Sequence, residues 1–193
     1  MVSTKSFLNI LLFLSLLFLY GCSSSEPRGN NRQVVSETDA DIIFETAFEE
    51  QGNEMYKTSS DSVRIYWLDN SIKGLENYTK CNIFALNCIY KAGYKCPDVY
   101  VLTKDLSDTN KFNDIFPVID IKSPEDIKKG DLIVWNGHII IFESLVKIND
   151  IIYANAIWGG SRKENDGKLA KNNVNYGKYK LEGDYIVRRP LKR

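Results

Sequence analysis

Two side chains of this sequence have the type and setting for covalent catalysis. Cys81 opens a strongly apolar helical run that includes Ile83, Phe84, Leu86, Ile89 and Tyr90. The first turn of a helix carries backbone N–H groups without intrahelical acceptors and the positive end of the dipole, both of which favour an anion. A thiolate is such an anion, so this placement makes a nucleophile of an ordinary thiol, and Lys80 adds positive charge beside it. His138 is the only histidine in the chain. It follows Asn136-Gly137 between two apolar runs, a strong hairpin signal that predicts positive φ at both turn positions and puts His138 at the head of a strand. By alternation it shares a face with Ile140 and Phe142. A sheet packed on the helix is expected to turn that face toward Cys81 and supply a general base. The bland alternatives are a cysteine acting as a small buried hydrophobe and a histidine on the surface.

The elements that would position these groups follow from periodicity and punctuation. Thr38 to Glu50 predicts an amphipathic helix, and Val63 to Leu68 a short strand. Thr79 to Ala92 predicts a buried helix, capped by Thr79 or Asn77 and stopped by Gly93. Ser123-Pro124-Glu125-Asp126 predicts a short helix that Gly130 ends. Strands are expected over Asp131 to Trp135, His138 to Phe142, Ile151 to Ile157 and Tyr185 to Arg189, with a turn at Asn149-Asp150. Gly159 to Asn175 reads as a polar loop, equally suited to a substrate rim and to plain surface. Helices followed by antiparallel strands make an α+β domain.

The first two dozen residues point to export. Lys5 precedes an apolar run from Phe7 to Leu19, which is short for a membrane span and has the form of a signal peptide. It ends in Leu19-Tyr20-Gly21-Cys22, which resembles the bacterial lipobox. That resemblance implies cleavage after residue 21 and lipid attachment at Cys22. Ser23 to Asn31 has no apolar residue, so 22–36 is expected to be a flexible tether and 37–193 one domain of about 155 residues. The 25 basic and 25 acidic residues balance, which gives no argument for nucleic acid. Arg188, Arg189, Lys192 and Arg193 form a basic cluster expected to be a solvated edge. With Cys22 lipidated, Cys81, Cys88 and Cys96 remain, and an odd number in an exported chain suggests one disulfide and one reactive thiol. A Cys88–Cys96 bridge is the hypothesis. No zinc site is expected, since the spacings lack a paired Cys-x-x-Cys knuckle.

Cys81-Asn82-Ile83-Phe84-Ala85, Ala92-Gly93-Tyr94, the run from Lys129-Gly130-Asp131 to Trp135, and Gly137-His138-Ile139-Ile140-Ile141 together resemble the papain-like cell-wall hydrolases of the NlpC and CHAP families. The likeness covers roughly residues 78 to 160 and departs from the family pattern at Lys80-Cys81-Asn82. It implies a papain-like fold, with N-terminal helices and the catalytic helix packed on a small antiparallel sheet. It also implies Cys81 as nucleophile, His138 as base and Asn155 as the residue that fixes the imidazole. Asn155 is also the lone amide in an apolar run, and Glu143 is the runner-up. Tyr66, Trp67, Tyr78 and Trp158 are possible groove aromatics. The expected function is a cysteine peptidase or amidase of the bacterial envelope, held to a membrane through Cys22, the outer one where there are two. It would cut peptidoglycan amide bonds as a monomer without metal or cofactor. The alternative is a noncatalytic envelope-binding lipoprotein of the same fold.

Overall fold

The structure is a computed structural model that describes residues 39–53, 56, 62–66, 72–76, 80–98, 101–160 and 174–193. The expected signal peptide, Cys22, the tether, the caps Asn77 and Thr79, and the aromatics Trp67 and Tyr78 lie outside the described residues. Three helices are described: α1 (Asp39–Glu50), α2 (Lys80–Lys91) and the single turn α3 (Thr103–Leu106). Strands β1 (Ser62–Tyr66) and β2 (Ile72–Glu76) pair as a separate antiparallel hairpin. The remaining strands are β3 (Val118–Ile119), β4 (Leu132–Trp135), β5 (His138–Ile148), β6 (Ile151–Gly159), β7 (Val174–Lys180) and β8 (Tyr185–Arg188). They form one antiparallel sheet in the order β3-β8-β4-β5-β6-β7. Helices and an antiparallel sheet within the unit Glu37–Arg193 make this an α+β fold.

α2 is apolar because it is enclosed. Every residue from Cys81 to Ile89 is buried, so no face needs to be polar. Its end is set by Gly93, at φ 88°. The N–H of Gly93 donates to Tyr90 O and that of Tyr94 to Ile89 O, the two bonds of a Schellman close, while Tyr94 and Ile89 share one apolar cluster. α1 packs on α2 and on β5 through Ile43, Phe44 and Ala47.

The two faces of the sheet differ in character. Leu132, Val134, Ile139, Ile141 and Ile157 pack with α1 and α2 in one apolar cluster. Ile133, Ile140, Phe142, Ala154, Ala156 and Val187 form a second cluster, bordered by Trp135, Trp158, Tyr179 and Tyr185. Alternation is as expected, but its assignment to layers is reversed. Ile139 and Ile141 meet the helix, and Ile140 and Phe142 face away from it.

The turns also differ from expectation. At Asn136-Gly137 only Gly137 has positive φ, 116°, although Trp135 and His138 pair directly across it. Both turn positions are left-handed instead at Asn149 (φ 49°) and Asp150 (φ 64°), which join β5 to β6 with the twist that suits a tight hairpin. The Ser123 signal gives a 3-10 turn, Pro124–Asp126, in which the Asp126 carboxylate accepts from the N–H groups of Lys122 and Ser123.

The basic cluster is a solvated edge only in part: Lys192 and Arg193 are exposed, whereas Arg188 and Arg189 turn inward. Arg188 is 0% exposed and donates to the carbonyls of Leu106, Asp108 and Phe116. Arg189 forms a two-pronged pair with Asp131, 2.8 Å on each arm. Arg193 lies over the Tyr90 ring. Arg188 and Arg189 answer orphan carbonyls and one carboxylate, so they fold inward instead of facing water.

Candidate active site

Cys81 sits in the first turn of α2 and is 5% exposed. Helix geometry leaves the N–H groups of this turn without intrahelical acceptors. The neighbouring Asn82 is buried and ties the turn to the following segment, its Nδ2 donating to Val101 O at 2.8 Å. Its Oδ1 is buried with no partner among the described residues. The other two cysteines have a different environment. Burial pushes both the Cys88 and the Cys96 thiol well above the ordinary range, and Cys96 Sγ contacts Leu86 O at 3.3 Å. Both are thiols, so the expected Cys88–Cys96 disulfide is not present. With Sγ of Cys96 turned to the backbone of α2, the pair is part of the packing.

His138 heads β5 as expected, opposite Trp135. Its ring lies on the aromatic side of the sheet. Tyr179 stacks on it at 5.1 Å between centroids and 22° between planes, and Trp135 is tilted at 6.4 Å. Burial lowers the His138 pKa to about 4, so the imidazole is neutral near pH 7. Its Nε2 is buried and has no hydrogen-bond partner among the described residues.

Tyr179 lies against His138 and within electrostatic range of Cys81. Its ring covers the imidazole, and its phenol is held above the ordinary pKa first by burial and then by the charge of a Cys81 thiolate and of Glu182. His138 shares its face with Ile140 and Phe142, the face turned away from α2, so the expectation that this face of β5 packs toward Cys81 is not met.

Asn155 is not brought to His138. β6 pairs Asn155 with Ser144, six positions along β5 from His138. Its Nδ2 donates to Ser144 Oγ at 3.0 Å. It also alternates with Ala154 and Ala156, which line the aromatic side, so it points to the opposite face. Glu143 is displaced too. It is the extra residue of a bulge between Phe142 and Ser144, and its carboxylate accepts from Tyr176 Oη at 2.7 Å. The third place beside His138 is therefore held by neither expected residue. Trp158 lies in this region, at 5.2 Å from the Tyr179 ring. Tyr66 belongs to β1, in the separate hairpin. Sequence reasoning missed Tyr179, which falls in the strand Val174–Lys180 at the edge of what reads as loop.

A cavity of about 360 Å³ lies elsewhere, lined by Ile43, Tyr94, Asp131, Arg189 and Leu191 at the Asp131 end of β4. Among the described residues no group of three His, Cys, Asp or Glu is placed to hold a metal ion, and no helix is long and apolar enough to cross a membrane. Comparisons with family models, curated proteins and solved structures return no match to this chain.

Proposed function

We propose that this chain is a papain-like cysteine hydrolase that cleaves amide bonds, with Cys81 as nucleophile and His138 as general base. The observation that supports the reading is placement: Cys81 lies in the first turn of α2, and His138, the single histidine of the chain, heads β5 with a buried Nε2. In the reaction Cys81 Sγ bonds to the substrate carbonyl carbon while its proton passes to His138. The backbone N–H groups at the start of α2 stabilise the oxyanion. His138 returns the proton to the departing amine, leaving a thioester. Water, deprotonated by His138, then releases the acid and restores the thiol.

Peptidoglycan as substrate is supported by the NlpC and CHAP resemblance and by the lipobox-like Leu19-Tyr20-Gly21-Cys22, which would hold the domain on a membrane beside the cell wall. The same anchor gives the envelope as location and a membrane as partner. Incubating the full chain in detergent with purified peptidoglycan should release new amine termini. Cys81→Ala and His138→Ala should each lower the rate at least about a thousandfold. Activity that survives Cys81→Ala sinks the nucleophile. Absence of cleavage together with retained binding favours a noncatalytic envelope lipoprotein.

A further inference from the structure

A catalytic imidazole works only if its ring is held still, and an acceptor on its far nitrogen commonly does this. The described surroundings of His138 offer aromatic rings instead. Tyr179 lies nearly parallel to the imidazole at 5.1 Å. Tyr179 is itself held by Trp135 at 5.2 Å and by the edge of Trp158 at 5.2 Å. Trp135 is fixed in turn by its Nε1–H, which donates to Glu182 O at 2.9 Å, and by Tyr185 at 5.5 Å. The rings thus form a chain that ends on a backbone carbonyl.

We propose that Tyr179 is the positioning residue of the site, orienting the His138 imidazole by ring stacking where a hydrogen-bonding third residue would otherwise act. This rests on the Cys81–His138 reading. Stacking fixes the plane of the ring and keeps water from one of its faces, and an aromatic pair of this kind contributes through both contact area and quadrupole alignment. It also accounts for a buried Nε2 without a partner among the described residues: the ring is held through its face, so Nε2 is left for the reaction. The ionisable groups of this neighbourhood are Cys81, Tyr179, Tyr185 and Glu182.

The chain's single histidine makes the test direct, because the full chain gives one imidazole Cε1–H resonance. In Tyr179→Leu the His138 titration midpoint should rise by about one pH unit or more as water reaches the ring. Hydrolysis by the same variant should lose between about tenfold and a hundredfold in kcat, with KM little changed. Tyr179→Phe keeps the ring and should leave both readouts near those of the unaltered chain. An unmoved midpoint and unchanged kcat in Tyr179→Leu overturn the proposal. So does a Tyr179→Phe variant as damaged as Tyr179→Leu, since the hydroxyl and not the ring would then be responsible. If no form of the chain hydrolyses peptidoglycan, the enzymatic reading falls, while the resonance still decides whether Tyr179 holds the ring.

Discussion

At the start of β4 the Asp131 carboxylate accepts from the N–H of Lys128 and from two nitrogens of Arg189, whereas just past its end His138 keeps a buried nitrogen with no partner among the described residues. Four residues of strand separate these two environments. At the first, a buried charge is fully answered, which is the condition for a structural ion pair to hold a loop in place. At the second, a polar atom is left unanswered, at a cost of about 1–3 kcal/mol that a purely structural site would avoid. The contrast separates the two halves of the Gly130-Asp131 and Gly137-His138 pattern on which the family resemblance rests. Asp131 serves the fold by joining the β4 entry to the segment after β8, and His138 Nε2 is left unengaged among the described residues.

The comparison can be broken first at its structural end. Asp131→Ala removes the acceptor of Arg189 and of the Lys128 N–H together and should cost about 3 kcal/mol, seen as a lower urea midpoint. A loss within about 0.5 kcal/mol would show that the pair is only decorative. At the other end, His138 should make stability depend on pH. Its folded pKa is about 4, against about 6.5 in the unfolded chain. Between these values the unfolded state binds a proton that the folded state refuses. Stability from this group is therefore complete above the upper value and falls by up to about 1.4 kcal/mol per pH unit on acidification through the window. Urea melts of His138→Gln should lack that part of the slope, and an unchanged slope would contradict the burial of the ring. The smallest effect belongs to Asn155→Ala. It loses one part-buried hydrogen bond to Ser144, worth about 1 kcal/mol. The hydrolytic rate should stay within about twofold, since the residue points to the face opposite His138 and is engaged by Ser144. A large fall in kcat there would restore Asn155 to the catalytic set.

What could be read from the sequence was local. The apolar stretch after Cys81, Gly93 as its stop, Asn136-Gly137 as a tight turn and the strand headed by His138 each depend on a few neighbouring residues, and each has its counterpart in the structure. Register was not legible. One extra residue at Glu143 and a left-handed turn at Asn149-Asp150 decide which β6 residue meets His138, and both act several residues from the site. Asn155 was out of place for that reason, and because a strand's alternation does not say which of its faces the helices will cover. β7 escaped notice because Val174–Lys180 mixes Asn, Gly and Lys with its tyrosines, giving no apolar run. With it went Tyr179, whose link to His138 comes from tertiary packing. The inward turn of Arg188 was equally hidden, since its partners are carbonyls supplied by segments about 70 to 80 residues earlier.

The position of β8 between β3 and β4 also governs when the sheet can form. Strand β4 and the hairpin of β5 and β6 emerge from the ribosome well before β8, and until it arrives one side of β4 remains an open edge. Assembly is thereby delayed until most of the chain has been made.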